Sequence, residues 1–214
     1  MGEEKVKKPI FKKWWFWLIV VVVLIIWGSS GDKKDQTAQQ IANTQQPAAQ
    51  QQSSAPKVED KSIKAGMYKV GTDIPAGEYV LISNASAYFQ ISKDSSGSMD
   101  SIVANDNFSN RSIVTIAAGQ YFEFKNCSAY PVAQAPTVDI SSNVLNAGMY
   151  KVGTDFPAGE YKVEADGSGY FEVSNNSSHS MDAISANDNF QGSKYVTVKD
   201  GQYLKLNKAK LHLK

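Results

Sequence analysis

One stretch of this chain occurs twice, and that repetition limits what it can fold into more than any other feature. The run AGMYKVGTD occupies residues 65–73 and again 147–155. PAGEY at 75–79 returns at 157–161, ANDNF at 104–108 at 186–190, and GQY at 119–121 at 201–203. The offset never changes, so the copies align without a gap at about half identity, as two examples of one structural unit do. The sequence divides into repeat 1 at 62–132, a spacer at 133–146 and repeat 2 at 147–214.

Comparing the copies separates inward from outward positions. Tyr79 and Leu81 stay apolar as Tyr161 and Val163, whereas Val80 and Ile82 become Lys162 and Glu164, which assigns that second pair to water. Phe89 and Ile91 match Phe171 and Val173; Val114 and Ile116 match Val196 and Val198; Phe122 and Phe124 match Leu204 and Leu206. Apolar residues every second position are the mark of half-buried antiparallel strands. After Phe124 and Leu206 the parity shifts by one, which predicts a β-bulge at Lys125–Asn126 and Asn207–Lys208. The bulge turns Cys127, which aligns with Ala209 of the other copy, inward as a buried and unreactive thiol.

Turn chemistry punctuates the strands at residues 73–77 and at Ala118–Gly119. Some six short strands per copy predict a mainly β protein, each repeat a small β-sandwich or partly closed barrel. Tyr68, Tyr79, Phe89, Phe108, Phe122 and Phe124 supply the core of repeat 1. The Ser-rich loops at 93–98 and 175–180 read as solvated, and Lys205, Lys208, Lys210 and Lys214 as an exposed edge.

Ahead of the repeats, residues 14–27 read WWFWLIVVVVLIIW. As a helix this run covers about 20 Å against a hydrocarbon core of about 30 Å. Flanking Ile10, Phe11 and the uncharged residues 28–31 extend it, and tryptophans mark both ends. A cleaved signal peptide is the rival reading, but no Ala-x-Ala site follows. Residues 14–31 are therefore expected to be a transmembrane helix. Lys5, Lys7, Lys8, Lys12 and Lys13 hold residues 1–13 in the cytoplasm and send the repeats outside. Residues 32–61, rich in Gln, Ala and Ser, form a linker too polar to bury a core, with a reach of about 30 Å.

The net charge of +1 offers no basic footprint for nucleic acid. A single cysteine excludes an intrachain disulfide, and with only two histidines it excludes a clustered zinc site. No cofactor is implied. The patterns GMYKVGTDIPAGEYVL, YFQIS, IVANDNF and VTIAAGQYFEF, with the anchor, resemble uncharacterised membrane- or lipid-anchored surface proteins of Gram-positive bacteria. The resemblance covers both repeats and the anchor, and implies a cell-envelope location without implying an activity.

Candidate chemistry is sparse. His179 aligns with Gly97 and His212 with Tyr130, so no shared site contains a histidine base, and an enzyme is not expected. A hydrolase confined to repeat 2 would need a polar cleft around His179. Asp100, Asp106, Asp182 and Asp188 are weak candidates for Ca²⁺, because ANDNF lacks the alternating ligand spacing of a calcium loop; turn chemistry explains them as well. Tyr88 and Tyr170, with Tyr121 and Tyr203, point away from the core and offer rigid stacking area plus a hydroxyl. They are the candidate ligand-binding residues, for a cell-wall glycan or a peptide. The expected function is non-enzymatic envelope binding by two displayed β-modules; the alternative is a spacer without a ligand.

Overall fold

The computed structural model describes residues 61–213. The basic segment 1–13, the apolar run 14–31, almost all of the linker 32–61, and Lys214 lie outside the described residues. Among the described residues no helix is long and apolar enough to cross a membrane.

Repeat 1 contains β1 (Gly66–Lys69), β2 (Gly77–Ser92), β3 (Ile102–Ile116), β4 (Tyr121–Lys125) and β5 (Ser128–Pro131). Repeat 2 contains β6 (Val144–Leu145), β7 (Gly148–Lys151), β8 (Gly159–Ser174), β9 (Ile184–Val198) and β10 (Tyr203–His212). Each forms a five-stranded antiparallel sheet, ordered β1-β4-β2-β3 with β5 also on β2, and β6-β10-β8-β9 with β7 also on β10. In place of six short strands, each repeat has one long hairpin of a 16- and a 15-residue strand. The second copy begins earlier than expected, because Val144–Leu145 of the supposed spacer pairs with β10.

The long strands stay in one sheet by bending. Their pairing shifts between Ile82 and Ser86, and between Glu164 and Ser168. The bulge in the last strand lies where the parity shift put it, between Asn207 and Ala209, with Lys208 at φ 48° and Asn126 of the first copy at φ 60°. At the β3–β4 turn Gly119 holds φ 88°, a left-handed angle that a Cβ would strain.

No α-helix covers either sheet among the described residues, and the inner side chains of each repeat pack on one another in one buried cluster. Tyr79, Phe89, Phe122 and Phe124 are fully buried in repeat 1, where Phe122 and Phe124 sit 5.0 Å apart. Tyr79 and Tyr161 turn their hydroxyls back onto the carbonyls of Pro75 and Pro157, so each large ring is buried with its polar end satisfied. Burial pushes the Cys127 thiol up to about 11, away from the thiolate its reactivity requires.

Candidate functional site

The bend gives every repeat two distinct outer faces. In repeat 1 the first half of β2 and the end of β3 present Glu78, Val80 and Ile82 beside Thr115, Ile113 and Arg111; we call this the hairpin face. Beyond the bulge, the second half of β2 presents Tyr88, Gln90 and Ser92 beside Lys125, Glu123 and Tyr121 of β4, with Met67 and Lys69 of β1 next in register. This is the tyrosine face. Repeat 2 builds its own from Tyr170, Glu172, Ser174, Tyr203, Lys205, Met149 and Lys151.

The two repeats meet through one face of each kind. Val80, Ile113, Met149 and Tyr203 form a separate buried cluster, joined by Ile82 and Ala135, in which the hairpin face of repeat 1 seats on the tyrosine face of repeat 2. Val80 is 0% exposed and Ile82 is half-buried, so the assignment of this pair to water is corrected. The second repeat covers them. Each fully buried aliphatic chain stabilises such a seam by about 1.5–3 kcal/mol. Close approach is possible because β7 opens on Gly148, where a Cβ would lie 3.2 Å from the Arg111 carbonyl.

Three polar groups surround this apolar patch. At the first, Glu78 accepts from the Tyr203 hydroxyl, from Ser177 at 2.8 Å and from Lys151 at 3.0 Å. Thr115 bonds Ser177 twice, through its hydroxyl at 2.8 Å and its backbone N–H at 2.9 Å. Burial alone would raise the Glu78 pKa, but the donors Tyr203, Ser177 and Lys151 outweigh it and hold the carboxylate below its ordinary value. The second is Arg111, which reaches the Pro136 carbonyl and Asp155 at 3.3 Å each, with both side chains of the ion pair almost fully buried.

The third group plugs the side of repeat 1. His179 lies edge-on to Phe89 at 4.8 Å between ring centroids. Its Nε2 sits 2.9 Å from the Ile113 carbonyl, which only accepts, so Nε2 carries the proton. Nδ1 faces Asp106 at 3.9 Å, and Lys205 bonds Asp106 at 2.7 Å. Burial lowers the His179 pKa, opposed by the Ile113 carbonyl and Asp106, and keeps the ring neutral. A cleft of about 390 Å³ runs alongside, lined by Asp106, Arg111, Ser112, Met149 and Lys205 among others.

Ser177 and His179 thus remove the loop 175–180 from the solvated class, whereas the equivalent loop 93–98 is exposed throughout. Lys205 leaves the exposed edge for the same reason. Of the four candidate tyrosines, Tyr203 is 5% exposed and covered by repeat 1. Tyr170 is half-buried on the same face and bonds Glu172 at 2.9 Å. Tyr88 bonds Gln90 at 2.8 Å, and Tyr121 lies under Lys69, 5.9 Å from the ring centre to Nζ. These last two are half-buried as well, but their bond and ring contact stay within the sheet of repeat 1. Sequence reading missed Glu78, Arg111, Asp155 and His179 as a set. Its one signal was that Arg111, His179, Val80 and Ile113 have no counterpart in the other copy.

Among the aspartates considered for Ca²⁺, Asp106 pairs with Lys205 and Asp188 with Lys194. The backbone N–H groups of Asp100 and Asp182 donate to the Ser98 and Ser180 hydroxyls that cap short 3-10 turns. Among the described residues no group of three or more His, Cys, Asp or Glu side chains is placed to hold a metal ion.

Residues 60–131 match the family model of the Rv1352-like extracellular domain. The match spans repeat 1 from the end of the linker to β5, and so includes the open tyrosine face and the hairpin face that repeat 2 covers. No curated protein matches the chain. The family match supports an extracytoplasmic protein.

Proposed function

We propose that this is a non-enzymatic envelope protein, held at the cell membrane by residues 14–31, that binds its partner through the tyrosine face of repeat 1. The observation that carries the reading is the seam. The same face in repeat 2, with the same Met, Lys and Tyr at positions 149, 151 and 203, already holds a β-sheet surface against itself. The copy in repeat 1 keeps these and Tyr170 as well, with Met67, Lys69, Tyr121 and Tyr88 for Met149, Lys151, Tyr203 and Tyr170, and among the described residues no bond or ring contact from Tyr88 or Tyr121 leaves its own sheet.

An apolar methionine, two tyrosine rings with hydroxyls and flanking charges of both signs suit a partner with flat and polar parts, such as a cell-wall glycan or an extended peptide. Each five-stranded sheet packs its inner residues in one buried cluster, which supports this face from below. The extracellular family model over 60–131 and the lysine-flanked apolar run at 14–31 support display outside the membrane.

The test is pull-down of purified envelope fractions by the full chain and by Tyr88→Ala with Tyr121→Ala. Binding by the parent chain that is lost in the double variant, with melting unchanged, supports the reading. Binding that survives in the variant removes it.

A further inference from the structure

The seam joins two unlike surfaces, a hairpin face to a tyrosine face. A tandem with one such contact leaves one face of each kind free, at opposite positions in the pairing. We propose that chains associate head to tail, the tyrosine face of repeat 1 in one copy seating on the hairpin face of repeat 2 in another. This rests on the reading of the tyrosine face as an interaction surface, and specifies a second copy of the chain as its occupant.

The free faces retain the parts of the seam that define its register. Glu78 and Thr115 recur on the free hairpin face as Glu160 and Thr197; Lys151, Tyr203 and Ser177 recur on the free tyrosine face as Lys69, Tyr121 and Ser95. The whole hydrogen-bonded group around Glu78 can therefore be rebuilt between chains from identical residues. Met67, equivalent to the buried Met149, is 43% exposed. Gly66 stands where Gly148 admits the partner backbone.

The charged contact is rearranged. In the seam, Asp106, at the side of repeat 1 across from Phe89, takes Lys205 of the tyrosine face. Between chains Glu123, which pairs with Lys125 at 2.9 Å on its own strand, replaces Lys205, and the residue across from it is Lys194, which holds Asp188 from the position of Ser112. A glutamate thus meets a lysine-capped aspartate, where Glu123 facing a bare Asp188 would repel.

The contact is also weaker than the seam by construction. Lys162 and Tyr195 stand in place of Val80 and Ile113, Ser193 in place of Arg111, and Gly97 in place of His179. The apolar anchor, the buried ion pair and the plug are all confined to the intrachain contact. Heterologous contacts of this kind build rings or open rows according to the rotation between copies, and confinement of tethered chains to a membrane plane raises their effective concentration.

Differently tagged full-length chains in phospholipid vesicles test this, all carrying Cys127→Ala, one Met67→Cys and the other Tyr195→Cys. Both side chains are exposed, so the fold tolerates the changes. Ile113→Cys with Met149→Cys in one chain is the positive control, since these residues share the seam cluster. Oxidation is expected to link Met67→Cys to Tyr195→Cys across chains. Adding Glu123→Lys should lower the yield several-fold, and Lys194→Ser should then restore it by recreating the Asp–Lys pair of the seam. Links only between two Met67→Cys chains, or none while the control closes, overturn head-to-tail association. In that event envelope binding that still depends on Tyr88 and Tyr121 leaves the proposed function standing, whereas loss of both removes both.

Discussion

Ile113 and Tyr195 occupy the same place in two sheets of the same design, yet one is 1% exposed and the other 69%. Their strands share length, register and bulge position. What differs is the neighbour: β3 is covered by the tyrosine face of repeat 2, and among the described residues nothing covers β9 at that point. The inside of a repeat is set by a period of two along its strands, which both copies obey. Its outside is set by position in the tandem, and there the copies have diverged, with aliphatic residues and an arginine in one and lysine, tyrosine and serine in the other.

Substitutions made in parallel at equivalent positions break or sharpen this contrast. Ile113→Ala empties a buried site and should cost about 2–4 kcal/mol in denaturant unfolding, whereas Tyr195→Ala should stay within about 0.5 kcal/mol of the parent. Equal effects would mean that the two hairpin faces share one environment. Next in size, Glu78→Gln leaves the seam lysine without its carboxylate and should cost about 1–3 kcal/mol. Glu160→Gln, on the free face, should leave the unfolding midpoint where it was.

Acid gives a third and smaller effect. The Glu78 pKa lies below 4.5 in the folded protein, so its contribution is complete above 4.5 and is lost as pH falls through the folded value. The His179 pKa lies below 6.5, so the unfolded chain takes up its proton first and stability falls as pH drops below 6.5. Both act in one direction, and unfolding followed from pH 7 to 4 should show a loss that His179→Phe reduces above pH 5. Smallest is Tyr203→Phe, which deletes one hydroxyl to Glu78 for about 1 kcal/mol. Tyr121→Phe, its counterpart on the open face, should match the parent in melting.

The sequence reading recovered the inner architecture for a physical reason. Burial inside a repeat leaves a local trace, two residues apart, and the second copy repeats it; hence Tyr79, Leu81, Phe89, Phe122 and the bulge at Asn207 were all legible. Val80 was misread because a lysine in the equivalent position marks water only where both copies have the same surroundings. A tandem joined by unlike faces breaks that condition. Residues that one copy alone possesses, such as Arg111 and His179, carried the trace of the seam, but contacts between distant segments have no period to reveal which partner each one meets. Tyr203 shows the same limit, since its pattern is that of Tyr121 and only the neighbouring repeat distinguishes them.

Repeat 2 seats against repeat 1, and His179 reports that seating from inside the contact. In NMR spectra of the full chain with labelled histidine, His179, assigned by its loss in His179→Phe, is expected to show nuclear Overhauser contacts to the Phe89 ring and to titrate below 6.5. A His179 ring that titrates at 6.5 without contact to Phe89 would mean that the repeats hang apart, and the seam with everything inferred from it would be contradicted.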